Sequence, residues 1–226
     1  MSNIEYGDYV KFSFFKARPS WRLLEPSGKA QLSEELVSAI QEAGKETGSP
    51  LSSFSAVGTR SDVDLLLFQS APSIEAFHST AVAINRTEAA AHFDQPHSYL
   101  SLRRKTRYKH GGGNPEVERK DKRYFIVYPM TKTRPWYGLS LEDRQQMMND
   151  HFRIGHGYPG VTINTTYSFG IDDPEFVVAF ETDDPSEFVS LVMDLREVPG
   201  SQFTASETPI FTTLRMPLPE ALQAIG

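Results

Sequence analysis

The stretch EFVVAFETDDPSEFV (175–189) carries an apolar strand directly into the start of a helix, and it has a counterpart earlier in the chain. In DVDLLLFQSAPSIEAF (62–77) the same change leads from an apolar run to a proline-containing helix start. The strand-like segments YVKFSFF (9–15) and YFIVYPM (124–130) also match each other in character. Each pair is separated by roughly half of the 226-residue chain, which indicates two copies of one structural unit.

Each copy is interpreted as a strand, a helix, two strands, a helix and a strand. The first copy is predicted at 8–16, 29–46, 52–60, 63–70, 73–90 and 97–105, and the second at 123–130, 140–152, 160–170, 174–182, 185–198 and 203–215. This βαββαβ order is typical of the ferredoxin-like fold, so we predict an α+β protein. The expected domains are 1–108 and 123–226, joined by a charged and turn-rich linker at 109–122. Two such sheets are expected to pack or close together with helices outside, leaving a cavity between sheet and helices.

The helix at 185–198 has the clearest sequence signals. Asp184 can cap its amino end, Pro185 suits the first turn, and Glu187 stands three residues after the cap, as in a capping box. Its apolar residues recur with helical spacing and predict one buried face: Phe188, Leu191, Val192 and Leu195.

Composition excludes several classes of function. The chain has no cysteine, which excludes disulfides, thiolate metal sites, iron–sulfur clusters and a cysteine nucleophile. A net charge of −6 argues against general nucleic-acid binding. No run approaches the ~20 apolar residues of a membrane span, and the start MSNIEYGDYV lacks the features of a signal peptide. We therefore predict a cytoplasmic protein with no nucleic-acid partner and no membrane span.

Two histidines lie close together near the end of the predicted helix 140–152. His151 and His156 are five residues apart, which on a helix separates their directions by about 140°, so a regular helix cannot aim both at one metal. His151 itself has two interpretations. It can serve as a C-terminal helix cap, or as an axial imidazole for a haem-like iron, which requires a neutral ring and a cavity.

The segment YPMTKTRPWY (128–137) crowds two tyrosines, a tryptophan, a lysine and an arginine into ten residues at the end of a predicted strand. Such rings can form an amphipathic rim that closes a core. They can also line a site in which a redox-capable phenol and cations surround a flat, anionic ligand. The residue types alone leave both interpretations open.

The second half of the chain resembles the chlorite dismutase superfamily, and within it the coproheme decarboxylases of bacterial haem synthesis. The similar segments are YFIVYPMTKTRPWYGLSLEDRQQMMNDHFRIGHGYPG (124–160), FGIDDPEFVVAFETDDPSEFVSLVMDLREVPGSQF (169–203) and PIF (209–211). Their elements follow the family's order and lie near its spacing over about 100 residues. The first half resembles the family more weakly, chiefly in its strand order and in HSYLSL (97–102).

The resemblance implies a dimeric α+β barrel built from paired ferredoxin-like units and assembled into rings, commonly homopentamers. It implies iron coproporphyrin III and haem b as the bound porphyrins and His151 as the proximal ligand of the iron. Tyr128 matches the tyrosine that these enzymes oxidise to a radical, and Lys132 a lysine beside the reacting propionate. The remaining matched positions are those of a pocket tryptophan and of residues near the porphyrin propionates: Trp136, Arg196, Ser201, Tyr99 and Ser101.

One departure from the family concerns the distal side of the porphyrin. Chlorite dismutases carry a distal arginine thirteen residues after the proximal histidine, and here that position is Asn164, flanked by Ile163 and Thr165. Chlorite chemistry is therefore not expected, and Asn164 stands where many decarboxylases have glutamine.

The resemblance thus implies oxidative decarboxylation of iron coproporphyrin III to haem b with hydrogen peroxide. The first alternative is a haem-binding or haem-sensing member of the superfamily with weak peroxidase activity. The second is a haem-free interaction protein in which His151 only caps its helix.

Overall fold

A computed structural model describes residues 6–109 and 121–226, so nearly all of the predicted linker (109–122) lies outside the described residues. By their contacts, the described residues form two compact units. The first unit comprises residues 8–100 and 211–226, and the second comprises residues 6–7 and 101–210. The predicted linear division into 1–108 and 123–226 follows the sequence repeat and stays a prediction.

The described residues form nine strands and seven helices. The strands are Tyr6–Ala17 (β1), Leu51–Ser55 (β2), Leu65–Ala71 (β3), Phe93–Arg104 (β4), Tyr124–Lys132 (β5), Thr162–Tyr167 (β6), Phe176–Thr182 (β7), Thr204–Ser206 (β8) and Phe211–Arg215 (β9). The helices are Pro19–Arg22 (α1), Pro26–Glu46 (α2), Ile74–Asn85 (α3), Arg134–Gly138 (α4), Leu141–His156 (α5), Pro185–Glu197 (α6) and Leu218–Ala224 (α7). Short 3-10 turns occupy Glu88–His92 and Pro199–Phe203. Among the described helices, none is both long and apolar enough to span a membrane.

The sheet of the first unit has the strand order β4–β1–β3–β2, with β9 beside β2. This is the ferredoxin-like order, because the first and third strands of the βαββαβ unit lie in the middle. Alternation along β1 buries Val10, Phe12 and Phe14 on one face. On the helix side, α2 packs through Leu32, Leu36 and Ile40 against residues of β3, in a core that also includes α7.

The sheet of the second unit repeats that order as β8–β5–β7–β6, and the end of β4 lies beside β6 through the pair Leu102 and Tyr167. One face of this sheet packs against α5 and α6. Its core consists of Ile126, Tyr128, Val161, Val178, Phe180, Phe188 and Leu191. The α+β prediction is therefore confirmed.

The helix α6 begins as its sequence predicts, with one exception. The Asp184 carboxylate accepts the backbone N–H of Ser186 at 2.9 Å, and Phe188 and Leu191 are buried. The capping-box role of Glu187 is wrong. Its carboxylate instead accepts the backbone N–H of Gly160 at 3.0 Å, because the turn before β6 comes so close that a Cβ at position 160 would collide with this carboxylate.

We expect Glu187→Ala to destabilise the second unit, because it leaves the Gly160 N–H without its acceptor. The expected loss is about 1–3 kcal/mol in the free energy of unfolding, measured by urea denaturation. Glu197→Ala, an exposed glutamate at the end of the same helix, is the matched control and should change stability by less. Equal effects of the two substitutions would contradict a structural role for the Glu187 contact.

Several predicted boundaries are wrong. The strand predicted at 52–60 ends at Ser55, and the strand predicted at 97–105 begins at Phe93. The helix predicted at 73–90 ends at Asn85, because Thr87 begins a separate turn in which its hydroxyl accepts the Ala90 N–H. The strand predicted at 203–215 is divided into β8 and β9, with Pro209, which has no N–H for a strand ladder, between them. β9 pairs with β2 and so belongs to the first unit. The helix predicted at 140–152 continues to His156.

Candidate functional site

The side chain of Tyr128 lies on the face of the second-unit sheet that packs against α5 and α6. It is 8% exposed and stacks on Phe180, with ring centroids 5.7 Å apart and planes at 24°. Burial raises the pKa of its phenol, the negative charge of Glu207 raises it further, and Arg196 opposes this. Among the described residues its hydroxyl has no hydrogen-bond partner. The phenol therefore stays protonated at neutral pH and is held by ring packing alone.

Lys132 ends β5 at a bulge, where the register between β5 and β8 shifts. Its Nζ donates to the hydroxyl of Thr204 at 3.1 Å and to the carbonyl of Gly200 at 3.4 Å. The same ammonium lies 5.2 Å from the ring centre of Trp136, which is 3% exposed. Burial lowers the pKa of Lys132. Both acceptors are neutral; the negative charges of Glu207 and Glu175 raise the pKa of Lys132 against the effect of burial, but among the described residues neither carboxylate forms an ion pair with it.

His151 lies well inside α5, five residues before the helix ends, so the interpretation of this residue as a C-terminal cap is wrong. The last turn contains Arg153 and His156, and the terminal carbonyl of Ile154 accepts the N–H of Gly157 at 2.8 Å. His156 is exposed.

The imidazole of His151 is held neutral. Burial, reinforced by the positive charge of Lys132, lowers its pKa to about 4, while Glu207 opposes this shift. Its ring has an edge contact with Phe152, and in the described part of the chain neither ring nitrogen has a hydrogen-bond partner. Neutral imidazole with a free lone pair is the form that binds a metal ion.

Two further charged side chains, Arg196 and Glu207, act on the residues described above. Arg196, in the last turn of α6, forms an ion pair with Glu207, whose side chain is 16% exposed. Glu207 influences the pKa of Tyr128, Lys132 and His151 alike, which places all of these groups in one electrostatic neighbourhood. Sequence reasoning missed Glu207, because it follows a three-residue strand and carries no recognisable motif.

Ser201, one of the predicted site residues, lies on the 3-10 turn that follows α6. Its hydroxyl donates to the backbone carbonyl of Arg196 at 2.7 Å. The neighbouring carbonyl of Gly200 is the one that accepts Lys132 Nζ. The second unit thus brings together six of the predicted residues: Tyr128, Lys132, Trp136, His151, Arg196 and Ser201.

The strand register corrects the prediction for Asn164. Residues directly opposite each other in an antiparallel sheet share a face, and Tyr128 lies opposite Val178, which lies opposite Thr165. Because side chains alternate along a strand, Ile163 and Thr165 share the face of Tyr128, whereas Asn164 points to the other face. The prediction of Asn164 as a residue of the site is therefore wrong, because its side chain lies on the opposite face of the sheet from Tyr128.

Ser101 is corrected for the same reason. Its neighbour Leu102 pairs with Tyr167, which lies on the Tyr128 face, so Ser101 lies on the opposite face. There its buried hydroxyl is hydrogen-bonded to that of Thr166 at 2.7 Å. Tyr99 belongs to the first unit, where its ring packs against Phe14; its predicted role stays a prediction.

The helix-facing side of the second unit fits a flat, partly apolar ligand with carboxylates. None of the side chains of α5 is fully buried, although the helix faces the sheet. Ile163 is 38% exposed on the sheet face and points toward Gly155 of α5. The neutral His151 can supply a metal ligand, and Lys132, which has no ion-pair partner among the described residues, supplies a cation for a carboxylate. Within 6–109 and 121–226, no cluster of His, Asp and Glu could hold a bare metal ion. A single neutral imidazole fits an iron whose other ligands come from a porphyrin.

Comparisons with known proteins agree with this architecture. The family model described as chlorite dismutase matches residues 29–216. Coproheme decarboxylase of Mycolicibacterium smegmatis is 28% identical over 223 residues, which cover 92% of this chain and 90% of that protein. Coproheme decarboxylase of Staphylococcus carnosus is 31% identical over 157 residues, which cover 61% of this chain and 62% of that protein.

Solved structures share the fold. The chlorite dismutase from Candidatus Nitrospira defluvii in complex with imidazole superposes with a TM-score of 0.89 at 23% identity, over 98% of this chain and 96% of that one. A haem-binding protein from Thermus thermophilus superposes with a TM-score of 0.83 at 22% identity, again over 98% and 96% of the two chains.

Proposed function

The chain belongs to the chlorite dismutase family, and from this premise we propose that it is a haem-dependent enzyme that converts iron coproporphyrin III to haem b with hydrogen peroxide. Its relatives in Mycolicibacterium smegmatis and Staphylococcus carnosus are named coproheme decarboxylases. The observation that carries the proposal is the electrostatic neighbourhood of the second unit. There a neutral His151, a buried phenol of Tyr128 and a half-buried Lys132 without an ion-pair partner among the described residues lie together.

In this proposal the porphyrin binds between α5 and the sheet. One ring nitrogen of His151 holds the iron, since the imidazole is neutral and unpartnered among the described residues. The partly exposed Ile163 would offer an apolar surface to the flat macrocycle. Lys132 pairs with a propionate, because a carboxylate provides the charge compensation that the Thr204 hydroxyl and Gly200 carbonyl do not.

The chemistry of each round can be balanced. One propionate carboxylate, one hydrogen peroxide and one proton become one vinyl group, one carbon dioxide and two waters, and two rounds yield haem b. The bound iron, when present, would supply the two-electron oxidation by peroxide. Tyr128 would give up the hydrogen atom of its phenol and then take one from the propionate chain, which removes the first electron from the substrate; the second would leave as the carboxylate held by Lys132 departs as carbon dioxide. Because the phenol stays protonated, its hydrogen atom is available throughout the physiological range.

Chlorite decomposition is not proposed for this chain. The positions of β6 that share the Tyr128 face are Ile163, Thr165 and Tyr167, and the strand as a whole has no lysine or arginine. The family's distal arginine therefore has no counterpart in β6.

A second candidate function is haem binding or haem sensing with only weak peroxidase activity. It is favoured by the ion pair between Arg196 and Glu207, which occupies Arg196, whereas Lys132 has no ion-pair partner among the described residues. A porphyrin with four carboxylates could then bind through Lys132, but Arg196 would not be available to hold a second carboxylate for decarboxylation.

Assembly and location remain proposals as well. We propose a homo-oligomer of cytoplasmic chains, with a pentamer favoured. Sedimentation of the purified protein tests the oligomer, and a monomer at micromolar concentration would contradict it.

In the first experiment, the purified apoprotein is mixed with iron coproporphyrin III and the Soret band is recorded. Hydrogen peroxide is then titrated in, and the masses of the porphyrins are measured by mass spectrometry. We expect a shifted Soret band and stepwise loss of two carboxyl groups. Binding with all four propionates intact after peroxide would instead support the haem-binding function. Absence of binding would contradict both.

A further inference from the structure

Glu175 lies where the loop between β6 and β7 rejoins β7, outside the set of residues that the sequence predicts for the site. Its Oε2 accepts two hydrogen bonds, one from the backbone N–H of Lys132 at 2.8 Å and one from the hydroxyl of Tyr137 at 2.5 Å. The bulge at the end of β5 explains the first bond. The register shift at Lys132 releases its N–H from the strand ladder, and the carboxylate accepts it.

The two bonds enclose the segment that carries the Lys132 and Trp136 side chains. At its start, Lys132 is fixed by Glu175, and the next N–H, that of Thr133, donates to the carbonyl of Phe203 at 2.7 Å. At its end, Tyr137 is fixed by the same carboxylate. Between them Trp136 packs on Phe203, with ring centroids 5.6 Å apart, and receives the ammonium of Lys132 over its ring.

We propose that Glu175 is a positioning residue that sets the place of the Lys132 ammonium and the Trp136 ring in the candidate site. This inference rests on the proposed function and adds a residue to it. Glu175 acts only through Lys132 and Tyr137, so it is not a catalytic residue. The Tyr137 phenol remains a donor across the physiological range, because burial and its bond to Glu175 both raise its pKa. Tyr137 therefore remains available as a hydrogen-bond donor to Glu175 at neutral pH.

A spectroscopic test needs neither porphyrin nor turnover. The chain has two tryptophans, Trp21 in the first unit and Trp136 in the second, so protein labelled with 5-fluorotryptophan gives two ¹⁹F resonances. Trp136→Phe assigns them. We expect Glu175→Ala to shift the Trp136 resonance and to leave that of Trp21 in place. Glu175→Gln should restore the Trp136 resonance, because an amide oxygen can accept both hydrogen bonds.

The matched control is Asp173→Ala, an exposed carboxylate in the same loop, which should leave both resonances unchanged. If Glu175→Ala fails to fold, Tyr137→Phe removes one of the two bonds and should shift the same resonance by a smaller amount. An unmoved Trp136 resonance in either variant, or a glutamine variant as displaced as the alanine variant, would overturn the proposal.

Turnover gives an independent readout. We expect Glu175→Ala to slow decarboxylation about 100-fold, the scale of loss when reacting groups are misplaced by about 1 Å, and Glu175→Gln to remain near the wild-type rate. Unchanged turnover in Glu175→Ala would overturn the positioning role. If the wild-type protein itself leaves coproporphyrin intact, the proposed function fails, whereas the ¹⁹F result still decides whether Glu175 sets the geometry.

Discussion

Tyr128→Phe is expected to bind iron coproporphyrin III like the wild type and to leave its propionates intact when hydrogen peroxide is added. The substitution removes only the hydroxyl, which is the group that gives and takes the hydrogen atom. The ring remains buried and stacked on Phe180. We expect the decarboxylation rate to fall by at least about 100-fold, which corresponds to about 2.7 kcal/mol of activation free energy.

This result would be specific to the chemistry, because the hydroxyl has no hydrogen-bond partner among the described residues. Its removal leaves no buried group unsatisfied, so we expect no more than a small change in unfolding free energy. Tyr124→Phe, at the other end of β5, is the matched control and should decarboxylate normally. Porphyrin mass spectra after peroxide addition provide the measurement. Normal formation of haem b by Tyr128→Phe would contradict the proposed radical role of this residue.

His151→Ala is expected to abolish the Soret shift that accompanies binding of iron coproporphyrin. Loss of this imidazole removes the ligand of the iron, whereas Lys132 and the apolar sheet face still contact the macrocycle. We expect affinity to fall at least about 100-fold, or about 2.8 kcal/mol of binding free energy, measured by Soret titration. Added imidazole should restore the spectrum by occupying the space that the substitution leaves.

The control for this substitution is His156→Ala, which removes an exposed imidazole further along the same helix. It should bind the porphyrin like the wild type. An unaltered spectrum in His151→Ala would contradict iron ligation by His151 and would favour the interpretation of the chain as a haem-free protein.

The low pKa of His151 adds a pH dependence whose sign can be worked out. The unfolded histidine titrates near pH 6.5, and the folded one near pH 4. Between these values the unfolded chain binds a proton that the folded chain does not, so the stability of the apoprotein falls as pH falls through this window. The total loss is on the order of 3 kcal/mol. His151→Gln should lack this part of the pH dependence in urea denaturation, and an identical slope in both proteins would contradict the buried neutral state.

The elements of this fold could be predicted from the sequence because their signals are local. Apolar periodicity along 185–198, the cap at Asp184 and the proline that follows it are sufficient to place α6. The repeat of this pattern in the first half was sufficient for the βαββαβ order. Tyr128, Lys132 and His151 could be identified from residue types and a family resemblance, since each stands in a distinctive segment of the chain.

The sequence by itself thus determined the repeated unit, its α+β class and the segments that carry the candidate site. Only the tertiary structure decided which face each side chain occupies. A difference of one residue moves a strand side chain to the other face, which separates Ile163 from Asn164. Likewise, Glu175 and Glu207 act on residues distant in sequence, through a bulge and an ion pair. Such contacts depend on strand register and on where the chain returns, and no local pattern of residues specifies either.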